Sequence, residues 1–445
     1  MSLDAQRLYD LLPAIYRVRD AEQSEPLKAL LSVIAEQVAV LEEDLAQRYD
    51  DQFIETCAEW VVPYIGDLIG YRSLHGVATK VSSPRAAVAN TIAYRRRKGT
   101  ATMLEQLARD VTSWNARAVE FFQLLATTQH MNHIRLENWY APDLRRWEPL
   151  ERLNTAFDGA AHTVDVRRIA TGEGRYNIPN IGIFLWRLGA YSLTDSPAFK
   201  LDERRYLFSP LGNNTPLFTR PETEDEITHL AEPINVPAPI SRRVLHDRLD
   251  IYYGKGKSLF LRRADAQEIT TAEIEICDLS DTSSGTWAHM PKPTGKISID
   301  PVLGRIAFPA AQIQALLATF HYGFSADMGG GDYERAASFD AELEPIQRVI
   351  MPVVAPPQPV IQDALDALSN GGVVEIGDSG RYEEAVQISA ADNQRIELRA
   401  ANGHRPTLVL SNDVQIVGGE GTEISMNGLL IVGAALRVPA ATNNK

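Results

Sequence analysis

Apolar residues recur at helical spacing along the first 125 residues of the chain. In the longest run they return every three or four positions, with acidic residues between them: Leu27, Leu30, Leu31, Ile34, Val38, Leu41 and Leu45. This nearly heptad spacing predicts one helix of about 20 residues, with Ser24 as its N-cap and Pro26 in its first turn. The stripe either packs inside its own domain or docks against helices of another chain.

Three further segments of this region have helical signals. One covers Glu55–Tyr71 and is interrupted by Pro63, and another covers Arg85–Lys98 and ends at Gly99, a residue suited to a helix C-terminus. A third opens near Thr102, whose spacing from Glu105 is that of a capping box. We therefore predict a helical bundle domain over residues 1–125.

The pattern changes after residue 125. Residues 126–235 combine prolines, aromatic residues and short alternating pieces, which predicts a mixed α/β insertion domain. Within it, Ile181–Leu188 reads as a largely buried strand because nearly all of its residues are apolar. The proline-rich segment Glu232–Ser241 reads as a linker or a sheet edge.

Residues 236–350 are predicted to form a β-rich domain. Its strand-like runs are Leu249–Tyr253, Ser258–Arg262, Glu273–Cys277, Lys296–Ile299 and Arg305–Phe308. Asp300, Pro301 and Gly304 are turn-forming residues between the last two runs, so these runs are expected to form a hairpin.

A second proline-rich stretch, Met351–Val360, precedes a short helical segment at Ile361–Leu368. Beyond it, short apolar runs recur every 10 to 20 residues or so, which is typical of a right-handed parallel β-helix over residues 360–445. A β-sandwich is the alternative. Because only a few coils precede residue 445, we expect either a longer polypeptide or a second subunit covering the last coil. The predicted fold is thus a multidomain α+β protein.

Composition narrows the function classes. The chain has 445 residues and a net charge of −14, so binding nucleic acid as its main role is not expected. Its two cysteines, Cys57 and Cys277, form no CxxC motif, which fits a reducing compartment such as a cytoplasm. The sequence has neither an export signal nor an apolar run of 18 residues, so direct membrane insertion is not expected.

Three consecutive glycines, Gly329, Gly330 and Gly331, raise the question of a phosphate-binding loop. They are followed by Asp332 and not by the Lys and Ser/Thr that a P-loop needs, and no GxGxxG motif is present. A structural turn, in which the glycines let the loop pass tightly under the preceding hairpin, is the better interpretation. No cofactor is predicted.

Other candidate chemistry is equally weak. His130 and His133 could share a helical face, but no Cys or His cluster lies nearby in the sequence to complete a zinc site. The tail carboxylates Glu375, Asp378, Glu383 and Glu384 are the candidates for glycan cleavage, which needs a pair of carboxylates across the sugar. Since no spacing pairs them and no Ser-His-Asp or GxSxG arrangement occurs, no catalytic or metal-binding residue is predicted.

One basic run stands out in an acidic chain. Arg95, Arg96, Arg97 and Lys98 follow one another at the end of a predicted helix. Cations are favourable at a helix C-terminus, so a solvated helix end is one interpretation. The other is an ionic contact with an acidic partner subunit.

Several segments resemble one known family in both sequence and order. LLPAIYRVRD (Leu11–Asp20), PYIGDLIGYR (Pro63–Arg72) and YRRRKGTATMLEQLARDVTSWNARAVEFF (Tyr94–Phe122) are similar to the phage tail protein I family. DPVLGRIAF (Asp300–Phe308) and FHYGFSADMGGGDY (Phe320–Tyr333) resemble its longer versions in phage-tail-like particles. Residues 130–290 match only loosely, and the β-helix tail departs from the short phage proteins.

The resemblance implies a structural, non-enzymatic baseplate wedge subunit of a contractile injection system. Helices of such a subunit bundle with a second, larger wedge protein, which would use the Leu27–Leu45 stripe. Six wedges close a ring around the spike and hub, next to sheath-initiating components and, in some particles, tail fibres. The particle would assemble in the bacterial cytoplasm and then be released or membrane-anchored. A carbohydrate-active lyase or hydrolase built on the β-helix is the alternative function.

Overall fold

The computed structural model describes residues 4–72, 84–138, 140–167, 174–224, 229–283, 285–293, 295–351 and 360–439. The chain is a mixed α+β protein with several helices near the N-terminus and a β-solenoid near the C-terminus. It divides into two compact units, which are described separately. The helical unit comprises Met1–Leu185 with Glu226–Leu230, and the β-rich unit comprises Trp186–Asp225 with Ala231–Lys445. The domain boundaries at residues 125, 235 and 350 stay predictions.

The helical unit contains α1 to α7: Ala5–Asp10, Ala14–Ala21, Pro26–Asp50, Val62–Leu68, Pro84–Arg96, Ala101–Thr112 and Trp147–Glu151. The long helix α3 spans the predicted stripe, and α1 and α2 pack on one side of it. Pro63 falls in the first turn of α4, where a missing N–H costs nothing. A short 3₁₀ helix, Glu59–Val61, leads into α4.

The start of α3 is capped from a distance. Pro26 occupies the first turn, but Ser24 is not the N-cap, which corrects the sequence prediction. The N-cap is Glu25 in a left-handed conformation, and its side chain makes no capping hydrogen bond. The buried carboxylate of Asp20 accepts hydrogen bonds from the backbone N–H groups of Leu27 at 2.7 Å and Lys28 at 3.1 Å. Asp20 therefore satisfies the free N–H groups that open the helix.

Among the described residues, the helical unit contains β1 (Asn115–Glu120) and all of β2 (Ile181–Trp186) but its last residue, and the two strands pair in a two-stranded sheet. The prediction of a largely buried strand at Ile181–Leu188 is wrong, because Ile181 and Ile183 are each 48% exposed. Only alternate residues face the protein: a Cβ atom on Gly182 would lie 2.8 Å from the ring of Phe121. A two-stranded sheet with one covered face leaves its other apolar face in solvent.

The β-rich unit begins with two antiparallel-dominated sheets. Their strands are β3 (Gly189–Pro197), β4 (Phe199–Lys200), β5 (Arg205–Leu207), β6 (Leu259–Arg263), β7 (Ile274–Ile276), β8 (Ile297–Asp300), β9 (Arg305–Ala307) and β10 (Leu316–Phe324). One sheet has the order β3-β10-β6 and the other β4-β5-β9-β8-β7. Strands β8 and β9 form the hairpin that the sequence predicts, with Ile299 opposite Ile306.

Two short helices, α8 (Arg242–Asp247) and α9 (Leu249–Tyr252), pack against these sheets. The predicted strand at Leu249–Tyr253 is therefore wrong. Leu249 and Tyr252 are three residues apart within α9, the spacing that puts both on one helix face, and Leu245 of α8 packs into the same core. That core also contains Phe208, Leu217, Leu259, Leu261, Ile299, Ile306 and Phe320.

The solenoid follows. It consists of α10 (Val360–Asp366) and the strands β11 to β20: Ile346–Val349, Gly372–Ile376, Arg381–Glu383, Gln387–Ala390, Arg395–Ala400, Thr407–Val409, Val414–Gly418, Glu423–Asn427, Leu430–Val432 and Leu436–Arg437. The strands pair in parallel in three sheets, β11-β12-β15-β18, β13-β16-β19 and β14-β17-β20. This stacking of coil on coil is a solenoid and not a β-sandwich.

The helix α10 covers the first end of the solenoid. Its Ile361 and Leu365 are buried against the solenoid core. Interior residues of the middle coil are buried, such as Leu398 and Leu408, whereas those of the last described coil, such as Ile424 and Ile431, are only partly buried.

Candidate partner interface

The predicted stripe on α3 divides into two sides. Leu27, Leu31 and Val38 are half-buried, and Ala35 is the one buried residue of this helix. The remaining stripe residues are exposed: Leu30 (56%), Ile34 (44%), Leu41 (67%) and Leu45 (68%). The helices α1 and α2 cover one side of α3 and are too short to cover the other. Half of the stripe therefore faces solvent.

The exposed side of α3 is wider than the stripe. Val33 (56%) and Val40 (53%) are exposed beside Leu30 and Leu41, and the polar residues Gln37 and Asp44 lie in the same row as Leu30 at intervals of seven residues. We call this surface the outer face of α3. Its members are Leu30, Val33, Ile34, Gln37, Val40, Leu41, Asp44 and Leu45. A continuous apolar surface of this kind on a described helix is typical of a docking site.

The helical unit has a second exposed apolar row that sequence reasoning missed. Trp60 (68%), Tyr64 (65%) and Leu68 (87%) lie four residues apart, and the rings of Trp60 and Tyr64 make an edge contact with centroids 6.2 Å apart. Tryptophan and tyrosine are enriched among residues that dominate binding energy at interfaces. The spacing of four residues was the signal, but it also fits a buried helix face.

The basic run has more than one role. Arg95 donates hydrogen bonds to the carbonyl oxygens of Ile69 at 2.7 Å and Gly70 at 2.6 Å, so it caps the C-terminus of α4. Arg96 and Lys98 are exposed, and Arg97 is half-buried. The predicted ionic contact with a partner is therefore open to Arg96 and Lys98 in a way that it is not to Arg95.

The Asp300 turn is held by a buried ionic network. Asp300 is fully buried and accepts two hydrogen bonds from Arg242, at 2.9 and 2.8 Å, and one from the backbone of Leu279 at 2.9 Å. Hydrogen bonding to Asp300 raises the pKa of Arg242. The carbonyl oxygen of Pro301 accepts from the backbone of Leu217 at 2.8 Å. The turn therefore has a structural role in the β-rich unit.

Gly304 and Arg305 stabilise the same turn between β8 and β9. Gly304 has a φ of +62°, and a Cβ atom there would collide with the carbonyl oxygen of Thr215. Arg305 is buried, forms a bidentate ion pair with Asp281 at 2.9 Å, and lies 4.7 Å from the ring centroid of Trp287. These contacts account for Asp300, Gly304 and Arg305 without a catalytic or phosphate-binding role.

The three glycines lie against the solenoid. A Cβ atom on Gly330 would lie 2.8 Å from the carbonyl oxygen of His404 and would collide with that of Gly428. Gly329 has a φ of +70°, which glycine adopts without strain, and Gly331 packs beneath the ring of Tyr333. The sequence led us to expect close approach to the preceding hairpin, whereas the neighbouring backbone belongs to solenoid loops.

The segment after the glycines is fastened along one solenoid sheet. Buried Arg335 donates to the carbonyl oxygens of Ala400 at 3.1 Å and Ala401 at 3.0 Å. The ring of Phe339 lies 5.4 Å from the guanidinium of Arg335 and 4.5 Å from that of Arg399. These contacts tie the β10–β11 connection to the coils and account for its single cationic residue, Arg335.

The four tail carboxylates all have structural partners. Glu375 pairs with Arg399 at 2.9 Å, and Glu383 pairs with Arg381 at 2.7 Å. Asp378 accepts hydrogen bonds from the backbone of Met351 and Gly380 and from the hydroxyl of Tyr382. Glu384 accepts from the backbone N–H groups of Ile361 and Gln362 at the start of α10. Burial raises the pKa of Glu384.

The histidine pair and the cavities offer no built site. His130 and His133 are exposed with ring centroids 6.0 Å apart, and no group of three metal-binding side chains occurs among the described residues. A cavity of 410 Å³ in the β-rich unit is lined by both charges, among them Glu222, Arg248 and Asp250. Within the described residues, no helix has the length and apolarity needed to cross a membrane.

Comparison with family models, with curated proteins and with solved structures finds no match to this chain.

Proposed function

We propose that this protein is a structural baseplate wedge subunit of a contractile injection system, bundled through α3 with a second, larger wedge protein. The observation that carries the proposal is the outer face of α3, where Leu41 and Leu45 are each about two-thirds exposed. The resemblance of Leu11–Asp20, Pro63–Arg72 and Tyr94–Phe122 to the tail protein I family supplies the kind of assembly.

Burial of the outer face against a partner would contribute favourable free energy. Fully burying a leucine, isoleucine or valine side chain contributes about 1.5 to 3 kcal/mol, so the six apolar residues of the outer face hold a large unrealised contribution. An intermolecular helical bundle would realise it. In isolation the same surface favours non-specific self-association or poor solubility, as distinct from a defined homodimer. This supports a subunit that works inside an assembly.

The rest of the chain fits a structural part. The carboxylates that a glycan-cleaving enzyme would need accept hydrogen bonds or ion pairs from the fold itself, for example Glu384 at the start of α10. No observation favours the carbohydrate-active alternative. In the proposed assembly the solenoid is a right-handed parallel β-helix that reaches toward a neighbouring wedge or a tail fibre. Six such subunits would surround the spike and hub.

A pull-down of the tagged full chain from the producing bacterium, viewed by electron microscopy, tests the proposal. We expect sheathed particles, or rings that contain a larger wedge protein at a fixed ratio. A variant with Ile34→Asp and Leu41→Asp should lose that protein. Its matched control carries Ala39→Asp and Ala46→Asp, exposed positions of α3 outside the outer face, and should keep it.

A lone protein without particle components would overturn the proposal. Release of reducing or unsaturated sugar ends from a glycan by the same preparation would support the carbohydrate-active alternative instead.

A further inference from the structure

We infer that the outer face of α3 takes an amphipathic helix from a different chain, and that this helix sets a basic side chain against Asp44 and basic residues along one flank. The inference rests on the proposed function, because it names the chemistry of the partner at that same surface. It follows from the polar residues of the outer face and not from its apolar ones.

Asp44 lies inside the apolar row. It is exposed and falls between Leu41 and Leu45, in the same row as Leu30 and Gln37. A helix that covers Leu41 and Leu45 must also cover the carboxylate of Asp44. A buried carboxylate without a cation or hydrogen-bond donor is strongly unfavourable. The partner therefore has to supply a donor at this level, and a lysine or arginine supplies both charge and hydrogen bonds.

The residues beside the outer face also call for basic residues in the partner. Glu36 and Glu43 are exposed and lie seven residues apart on one side of the apolar row. In paired helices, residues that flank the apolar seam form the interhelical ion pairs that choose the partner. Among the described residues, no ion pair joins this flank or Asp44 to a cation of α3: Lys28 pairs with Glu25 at 3.0 Å, and Arg48, one turn after Asp44, pairs with neither. Charge complementarity calls for a basic partner.

A second copy of the chain does not meet this requirement. A parallel, in-register pair would set Asp44 against Asp44. An antiparallel pair centred on Gln37 would set Asp44 against Leu30. An antiparallel pair that brings Asp44 to Arg48 would be centred on Ala46, and it would leave Leu30 and Ile34 uncovered. The geometry of a regular helix thus favours a heterotypic contact.

The test uses two synthetic helices of equal length as probes. Both carry a leucine and isoleucine seam, and one has lysine at the position facing Asp44 and along one flank, where the other has glutamate. Binding of each to the full chain is measured by fluorescence anisotropy at low and high salt. We expect the lysine helix to bind tighter by roughly tenfold or more, with an advantage that shrinks as salt rises.

Variants of the chain locate the effect. Asp44→Lys should remove most of the preference for the lysine helix, because it sets like charges together inside the covered face and leaves only the flank to favour that helix. Glu43→Lys makes the same change in net charge one residue away, about 100° around the helix, and should weaken the preference much less. Equal binding of both probes, binding of neither, or the same response in both variants would overturn the inference. So would a homodimer in sedimentation equilibrium that Leu41→Lys abolishes.

These outcomes are separate from the test of the wedge proposal. If the lysine helix binds as expected but no particle components are captured, the docking chemistry stands and the baseplate assignment fails. If particles are captured but the probes show no charge preference, the baseplate proposal stands and the inferred docking chemistry fails.

Discussion

Two elements of this protein treat apolar residues in opposite ways. The helix α3 has 25 residues and buries one of them, Ala35, whereas all five residues of β12 are buried. Both elements are rich in leucine, isoleucine or valine. The difference is that β12 lies between two neighbouring strands and under α10, while α3 is covered on one side only. Apolar content alone does not say whether the partner of an element lies in the same chain.

The same contrast holds for the two units. Among the described residues, the main core of the β-rich unit joins 21 buried apolar residues, and the core cluster of the helical unit joins four: Cys57, Val61, Val62 and Val88. Stability scales with the apolar area removed from water. We therefore expect the β-rich unit to fold on its own contacts and the helical unit to gain stability from a partner.

The largest expected difference in the free energy of unfolding is between two single variants, Leu398→Ala in the solenoid and Leu41→Ala on α3. Leu398 is fully buried in β15, so its loss removes transfer energy and leaves a cavity, at a cost of about 2 to 5 kcal/mol. Leu41 is 67% exposed, so the same change there should alter the free energy of unfolding by less than about 0.5 kcal/mol. Urea unfolding of the two variants measures the difference.

Equal destabilisation by the two leucine variants would contradict the comparison, because it would mean that α3 is packed in the isolated chain. A further measurement sharpens it. Adding the lysine helix to the wild-type chain should raise the unfolding midpoint, and Leu41→Ala should reduce that increase.

Local sequence patterns predicted the elements well where a single period dominates. The spacing of three and four gave α3 and α10, and the short apolar runs from Val373 to Val432 gave the coils of the solenoid. Turn chemistry gave the hairpin at Asp300 and Gly304. In each case the residues that decide the structure lie within a few positions of one another, so local propensity and pattern suffice.

Except at Leu249–Tyr253, where a short helix was predicted as a strand, the failures involve contacts outside the segment itself. Ser24 has the composition of an N-cap, yet Asp20 of the preceding helix reaches the free N–H groups first. An all-apolar segment such as Ile181–Leu188 looks buried on both faces, but nothing in it tells how many strands its sheet has. A glycine such as Gly330 predicts a close approach of two backbone segments. Only the fold shows that the neighbouring segment is the loop at His404. Exposure of half the α3 stripe is likewise a property of the whole unit.

A medium effect is expected at the glycine loop. Gly330→Val would force a side chain into the backbone of the solenoid loops at His404 and Gly428, and overpacking of this kind costs about 1 to 3 kcal/mol. The control is Gly329→Ala, where the φ of +70° is unfavourable but the space is open, so the cost should be near 1 kcal/mol. Urea unfolding ranks the two variants.

The glycine result also separates a structural loop from a nucleotide site. Calorimetric titration of wild-type chain with ATP or NAD should show no binding. Tight binding that Gly330→Val removes would contradict the structural interpretation of Gly329–Gly331.

The smallest expected effects concern pH, and they have opposite signs in the two units. In the β-rich unit, burial raises the pKa of Glu384. Its folded form then holds a proton that the unfolded chain has released, so its contribution to stability is full below the ordinary glutamate pKa and is lost as pH rises through the raised value. In the helical unit, the hydrogen bond from Arg167 lowers the pKa of Asp165. That contribution is full above the ordinary aspartate pKa and is lost as pH falls through the lowered value.

Isosteric amide variants separate these contributions from all other titrating groups. Glu384→Gln keeps an oxygen that can accept from the N–H groups of Ile361 and Gln362 but cannot titrate. The free energy of unfolding of the wild type relative to this variant should therefore decrease as pH rises above about 4, the ordinary glutamate range. Relative to Asp165→Asn it should increase over a range that begins at lower pH. Both follow from denaturant unfolding across that range, with tryptophan fluorescence and circular dichroism as probes. If the free-energy difference from the wild type changed with pH in the same direction for both variants, one of the two carboxylates would not have the environment described for it. A difference for Glu384→Gln that does not change with pH would contradict the burial of Glu384 against α10.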